Sequence, residues 1–82
     1  MYTVYILFSE TLKKYYVGST QHFIIRFEEH NRGKSNFTST GIPWILVKKI
    51  EVNSRAEALR LETKIKKRGI ERYLNDINQL SK

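Results

Sequence analysis

The sequence predicts an α+β fold: a small, mainly antiparallel three-stranded sheet flanked by helices, in the order β-β-α-β-α-α. Two short runs rich in Tyr, Val and Ile stand near the N-terminus with only a polar connector between them, which is typical of a hairpin. The second half of the chain instead repeats apolar residues at helical spacing. At 82 residues the chain has room for one hydrophobic core, so we expect residues 1–82 to form a single domain.

The hairpin is predicted from residues 2–8 and 15–18, which are joined by the polar residues 9–14. The first run is apolar without strict alternation, and this favours a strand that is covered on both faces. We expect the hairpin to bring Tyr5 and Tyr16 close together at one of its ends.

A first helix is predicted to follow the hairpin. Ser19 or Thr20 can cap its N-terminus, and Gly33 suits the left-handed position that ends many helices. The residues expected to face the core are Phe23, Ile24 and Phe27.

A long irregular connection, rich in Gly, Ser, Asn and Thr, is predicted over residues 32–43. Residues 44–50 predict a third strand, and the charged side chains of Lys48 and Lys49 are consistent with an edge strand.

Two helices are predicted after the third strand. Ser54 and Glu57 form a capping box, in which the serine hydroxyl accepts from the Glu57 amide and the glutamate carboxylate accepts from the cap amide. This helix is expected to run to about Lys67, and Gly69 separates it from the last helix. The apolar stripes of the two helices are Ala58, Leu61 and Ile65, then Ile70, Tyr73, Leu74, Ile77 and Leu80.

The charge of the chain points to polyanions. Fifteen Lys and Arg against eight Asp and Glu give a net charge of +7. Nucleic acid is therefore the leading partner class, and a basic protein without such a partner is the alternative. No apolar window is long enough to cross a bilayer, no signal peptide is evident and there is no cysteine. We expect a cytoplasmic monomer with no membrane association.

Glu62 lies at the border of the buried stripe of its helix, four residues after Ala58 and three before Ile65. Helix geometry favours an exposed pair with Lys66, worth only about 0.3 to 0.5 kcal/mol. The alternative is a metal ligand, because Mg²⁺ is often held by one or two carboxylates together with substrate phosphate.

Five elements in sequence order resemble the GIY-YIG nuclease domain, and together they cover nearly the whole chain. They are Thr3-Val4-Tyr5, Tyr16-Val17-Gly18, Arg26, His30 and Glu62. Similar domains occur in homing endonucleases, in an excision-repair nuclease and in some restriction enzymes. The resemblance is closest to the small stand-alone GIY-YIG proteins of bacteria, which are largely uncharacterised.

The resemblance implies a role for each of these residues. Tyr5 would be the general base that takes a proton from the attacking water, which requires charge or metal to depress its pKa from about 10. Tyr16 would position the water or the phosphate, and Arg26 would clamp the phosphate. His30 would orient or relay a proton. Glu62 would be the single protein ligand of Mg²⁺ or Mn²⁺.

Each residue also has a simpler structural explanation. Tyr5 and Tyr16 suit the sheet as aromatic residues, and His30 can be a solvated residue near a helix C-terminus. Arg26 can pair with Glu29 on the helix surface. His22 has no matching role and is expected at the surface.

Three positions depart from the family pattern. Thr3 replaces the first glycine of the motif, and Ser19 stands where several relatives have lysine. Leu74 occupies a position where some relatives have asparagine, with Asn75 one residue further on.

The function expected from this resemblance is a divalent-metal-dependent endonuclease that hydrolyses DNA phosphodiester bonds with weak sequence or structure specificity. The alternatives are a non-catalytic nucleic-acid-binding module and an interaction subunit that needs a partner for activity. The basic residues that either follow a phosphate backbone or form a solvated face are Lys34, Lys48, Lys49, Lys64, Lys66, Lys67 and Arg68.

Overall fold

The computed structural model describes residues 1–34 and 38–80, and it confirms the α+β fold and the order β-β-α-β-α-α. The strands are β1 (Tyr2–Ser9), β2 (Lys14–Thr20) and β3 (Trp44–Val52). The helices are α1 (Phe23–Asn31), α2 (Arg55–Arg68) and α3 (Ile70–Leu80), and a 3-10 turn at Ser39–Gly41 precedes β3. No helix in this part of the chain is both long and apolar enough to cross a bilayer.

β1 is the central strand, and it pairs antiparallel with β2 on one side and with β3 on the other. Residues 4–7 of β1 are at most 1% exposed, so the prediction of a strand covered on both faces is confirmed. β3 is an edge strand, as the lysines at positions 48 and 49 indicated.

Two apolar clusters lie on opposite faces of the sheet, because successive side chains of a strand point to opposite sides. One face is covered by α2 and α3, and its buried residues are Val4, Ile6, Val17, Ala58 and Ile65. The other face is covered by α1, and its cluster consists of Tyr5, Leu7 and Trp44 with Tyr16, Phe23, Phe27 and Ile42 packed against them. Both tyrosines of the motif therefore face α1.

The two tyrosines are close together, but they lie within the sheet and not at one end of the hairpin. Tyr5 pairs with Gly18, and Leu7 pairs with Tyr16, so the two rings sit diagonally across the strands. Their centroids are 6.3 Å apart. The predicted location was wrong because β2 extends beyond residues 15–18 at both ends.

The start of α1 differs from the prediction. The helix begins at Phe23 with His22 at the N-cap, and no side chain caps it. Thr20 pairs with Thr3 in the sheet, and its hydroxyl accepts from the His22 amide. Ile24 is 72% exposed, so its predicted core position was wrong: it lies about 100° around the helix from Phe23, off the face that packs on the sheet. Phe23 and Phe27 do face the core, as predicted.

The glycines at the ends of two helices have positive φ, which was predicted for Gly33, while Gly69 separates α2 from α3 as predicted. Gly33 has φ of 77° and Gly69 has φ of 93°, values that are unfavourable for residues with a β-carbon. The capping box of α2 is present in altered form: Ser54 Oγ accepts from the Glu57 amide, but the Glu57 carboxylate accepts from the Asn53 amide instead of the cap amide.

The apolar stripes of α2 and α3 pack where they were predicted. Ala58 and Ile65 are fully buried, and Leu61 packs against them with Ile70, Tyr73 and Leu74 of α3. Ile77 is half-buried, whereas the side chain of Leu80 lies outside the described residues.

Candidate active site

A chain of buried hydrogen bonds starts at Tyr5 in the centre of the sheet. The Tyr5 hydroxyl lies 2.9 Å from Nε2 of His30, and Nδ1 of His30 lies 2.8 Å from Oγ1 of Thr38. The indole Nε1 of Trp44 donates to the Thr38 carbonyl oxygen at 2.8 Å. His30 is 1% exposed, so it is a buried residue that joins β1, α1 and the 38–41 turn.

Gly18 gives the Tyr5 hydroxyl its space. A β-carbon at position 18 would lie 2.7 Å from the Tyr5 hydroxyl oxygen and 3.1 Å from the Tyr16 ring. This close approach explains why glycine is required between the two rings on this face.

Tyr16 is the more accessible of the two tyrosines, because it is half-buried whereas Tyr5 is 1% exposed. Its ring meets His30 edge-on with the centroids 5.2 Å apart. It also lines an open cavity of about 350 Å³ together with Glu62 and Lys66 of α2. Tyr16 therefore connects the buried chain to the surface near Glu62.

Arg26 projects from α1 with a side chain that is 53% exposed, and it pairs with Glu29 at 3.7 Å. Its positive charge also acts to lower the pKa of Tyr5, against the larger effect of burial. Arg26, Glu29, His30 and Lys34 line a cavity of about 270 Å³. The predicted surface pair with Glu29 is present, but Arg26 is also part of the site.

Glu62 lies at the side of the sheet, where its carboxylate is 15% exposed. Oε2 accepts from the Ser19 hydroxyl at 2.9 Å, and Oε1 lies 3.8 Å from Nζ of Lys66. The predicted pair with Lys66 is therefore present, but at 3.8 Å the ion pair between Oε1 and the Lys66 ammonium is weak.

The donor chemistry of Glu62 fits a hard divalent cation. Among the described residues, no group of three or more His, Cys, Asp or Glu side chains could hold a metal ion. A cation here would depend on one carboxylate oxygen together with water and substrate phosphate, which is the arrangement that Mg²⁺ often adopts.

Burial dominates the pKa values of the buried aromatic groups. Burial, then the charge of ionised Tyr16, raises the pKa of Tyr5 to about 12, and Arg26 only partly opposes this. The pKa of Tyr16 is also raised by burial, with Arg26 opposing and Glu62 adding to the shift. Burial, then Arg26, lowers the pKa of His30 below 6.5, with Glu29 opposing. At neutral pH both tyrosines are protonated and His30 is neutral, so the groups of the protein do not supply the depression that a phenolate base requires.

Comparison with known families decides the identity of the fold. The model of the GIY-YIG catalytic domain matches residues 1–75. The chain belongs to the GIY-YIG family. No curated protein and no solved structure matches the chain. The matched region of this GIY-YIG domain contains all five motif elements, and the family is of the nuclease type.

The basic residues of this GIY-YIG domain lie on different surfaces. Lys34 and Lys66 line the cavities next to Arg26 and Glu62. Lys49 lies over the Phe23 ring on the α1 face, whereas Lys48 faces α3. Three other basic residues, Lys64, Lys67 and Arg68, line a separate groove between α2 and α3. Arg68 donates two hydrogen bonds to the Asp76 carboxylate there. The seven predicted residues are therefore not one continuous track.

Two contacts of the site were not predicted. Thr38 lies in the irregular connection, and nothing in its local sequence indicates a hydrogen bond to a histidine eight residues earlier. Ser19 was predicted as a possible helix cap and noted as a departure from the lysine of several GIY-YIG relatives, but its hydroxyl donates to the Glu62 carboxylate. His22 is exposed, as predicted, and His30 is not solvated as its simpler explanation required.

Proposed function

We propose that this GIY-YIG domain is a divalent-metal-dependent endonuclease that hydrolyses DNA phosphodiester bonds with weak sequence or structure specificity. The observation that supports it most is geometric: Tyr16 lines a cavity with Glu62, and its ring contacts His30, which lines a second cavity with Arg26. A cationic group, a carboxylate and two phenols thus share one site although they come from different elements. Phosphoryl transfer needs these kinds of groups at one place.

We place the scissile phosphate of the DNA beside Arg26. The guanidinium is half-exposed, and its pairing with Glu29 is long at 3.7 Å, so a phosphate can replace that carboxylate. A guanidinium binds two phosphate oxygens at once through its planar fork. Lys34, which lines the same cavity, adds a second positive charge next to the phosphate.

Tyr16 is the tyrosine that meets the attacking water. Tyr5 was the expected general base, but its side chain is 1% exposed and its hydroxyl is engaged with His30. Tyr16 reaches a surface cavity that it shares with Glu62. We therefore assign contact with the attacking water to Tyr16. Tyr5 has a supporting role, in which its buried hydroxyl helps to position His30 and Arg26.

Glu62 would hold the divalent cation, Mg²⁺ or Mn²⁺, with its carboxylate, which accepts a hydrogen bond from the Ser19 hydroxyl. The chemistry that such a cation would supply is polarisation of the phosphate and stabilisation of charge on the leaving oxygen. The Ser19 hydroxyl fixes the orientation of the carboxylate. Lys66 can move away from Glu62, because the 3.8 Å between Nζ of Lys66 and Oε1 of Glu62 is the distance of a weak ion pair.

The test is incubation of the purified protein with supercoiled, branched and single-stranded DNA in Mg²⁺ or Mn²⁺. Glu62→Gln and Arg26→Ala are each expected to lower cleavage by about 100-fold or more, the scale of losing one transition-state contact. Glu10→Gln and Arg32→Ala, which change exposed residues away from the cavities, serve as matched controls and are expected to cut like wild type.

Two results would count against the proposal. Salt-sensitive binding without cleavage in either metal would favour the non-catalytic binding module. Cleavage that survives in both Glu62→Gln and Arg26→Ala would show that another group, or a contaminating nuclease, does the chemistry.

A further inference from the structure

The hydroxyl of Tyr5 forms a hydrogen bond with Nε2 of His30 at 2.9 Å. Arg26, whose charge also acts on Tyr5, has N–H donors and no acceptor, so it cannot take the Tyr5 proton. Since a buried hydroxyl that donates to nothing is costly, the proton of neutral Tyr5 goes to His30 Nε2.

This direction determines the tautomer of His30. A neutral imidazole has one protonated nitrogen, and Nε2 must be the unprotonated one if it accepts from Tyr5. The proton is then on Nδ1, which lies 2.8 Å from Oγ1 of Thr38. Thr38 is fully buried, and the Trp44 indole donates to its carbonyl oxygen, so the acceptor is held in place.

We propose that Thr38 is a positioning residue: it accepts from Nδ1–H of His30, fixes this tautomer, and thereby points the Tyr5 hydroxyl proton away from Arg26. The lone pairs of the Tyr5 oxygen are then left for the guanidinium. Donation then runs in one direction, from Tyr5 to His30 and from His30 to Thr38. The reverse tautomer would make Nε2 of His30 a donor to the Tyr5 oxygen, so the Tyr5 proton would lose this acceptor.

The effect on cleavage rests on the proposed function, whereas the tautomer does not. If Arg26 clamps the phosphate, loss of the Thr38 acceptor disturbs the orientation of the Arg26 guanidinium. It does so without removing a group that touches DNA. Thr38→Val keeps the shape of the side chain and removes the hydroxyl, and Thr38→Ser keeps the hydroxyl.

The deciding experiment is nitrogen NMR of the protein labelled at histidine, at neutral pH without DNA. His22→Gln identifies the signals of the exposed histidine. We expect the buried His30 of the wild type and of Thr38→Ser to show protonated Nδ1 and unprotonated Nε2. In Thr38→Val we expect a mixture of tautomers or the Nε2–H form. A wild-type His30 protonated on Nε2, or an unchanged spectrum in Thr38→Val, overturns the proposal, and the wild-type spectrum decides even if Thr38→Val does not fold.

Cleavage of DNA provides the second measurement. Thr38→Val is expected to lower kcat by about tenfold, the effect of one lost hydrogen bond, with KM for DNA unchanged. Thr38→Ser is expected to restore the rate. An unchanged kcat in Thr38→Val, together with a changed tautomer, would overturn the positioning role. If the wild type cleaves no DNA, the proposed function fails, and the histidine spectrum still decides the tautomer.

Discussion

At the scale of single residues, burial determines how the groups of the site ionise. Tyr5 and His30 are each 1% exposed, and both favour their neutral forms for that reason. Their hydrogen bond needs a neutral phenol and a neutral imidazole in the same pH range. The structure therefore links the integrity of the site to pH through His30, whose described neighbours include Tyr5, Tyr16, Arg26 and Glu29.

The stability of the protein is expected to fall as the pH drops below about 6.5, because the unfolded state takes up a proton on His30 before the folded state does. The pKa of His30 is lowered from 6.5 in the folded protein, so its contribution is present above 6.5 and is lost as the pH falls through the folded value. Urea denaturation at several pH values measures this. The fall should remain in His22→Gln and become smaller in His30→Gln; equal slopes in the two variants would contradict it.

Gly18→Ala is expected to destabilise the protein by about 1 to 3 kcal/mol, as overpacking a filled interior does. The new methyl group would lie 2.7 Å from the hydroxyl oxygen of Tyr5 and 2.8 Å from its Cζ, in a ring cluster that has little room to move. Urea denaturation gives the free energy of unfolding. Lys14→Ala, on the exposed end of the same strand, is the control, and a Gly18→Ala protein as stable as this control would show that the site is loosely packed.

At the scale of elements, α2 is the helix on which the metal hypothesis depends, because it carries Glu62. Its start is set by Ser54 and its end by Gly69. Its buried side chains, Ala58 and Ile65, pack on the sheet and fix its rotation. Glu62 reaches Ser19 of β2 only while that rotation is kept.

Ser54→Ala is expected to lower the free energy of unfolding by about 1 kcal/mol, since the Glu57 amide loses its side-chain acceptor. Ser54→Asp retains an acceptor at the cap and should be close to wild type. Urea denaturation of both variants checks this. If Ser54→Ala and Ser54→Asp are equally stable, the cap contributes nothing to the stability of α2.

Local signals in the sequence were sufficient for much of the fold, whereas the roles of the five motif residues were inferred from the family resemblance. The apolar runs gave the strands, and Ser54, Gly33 and Gly69 marked helix ends because their chemistry acts within one turn. The start of α1 was misplaced because Ser19 and Thr20 suit a strand as well as a cap, and pairing with β1 decided between them. The contacts of Thr38 with His30 and of Ser19 with Glu62 could not be predicted, since each depends on packing between distant elements.

At the scale of the whole molecule, the net charge of +7 is distributed over several surfaces. The site side contributes Arg26, Lys34 and Lys66, while Lys64 and Lys67 lie along the groove between α2 and α3. A nucleic acid that binds at the site will contact the first set. The second set is then a solvated face.

Lys34→Ala is therefore expected to weaken DNA binding and to reduce the slope of log affinity against log salt by about 1, as removal of one phosphate contact does. Lys64→Ala removes the same charge from the other surface and should change neither quantity much. Fluorescence anisotropy with labelled duplex at several salt concentrations measures both. Equal losses in the two variants would mean that DNA binding is not centred on the site.

The measurement that tests the account most directly compares Tyr16→Phe with Tyr15→Phe in the cleavage of supercoiled DNA with Mg²⁺ or Mn²⁺. The two tyrosines are neighbours on β2 and both line the cavity with Glu62, but only Tyr16 belongs to the cluster under α1 and contacts His30, whereas Tyr15 packs with the cluster under α2 and α3. We predict that Tyr16→Phe lowers the rate by about 100-fold or more, the range of general acid–base catalysis, while Tyr15→Phe cuts like wild type. Full activity in Tyr16→Phe, or a wild-type protein that cuts in neither metal, would contradict the account.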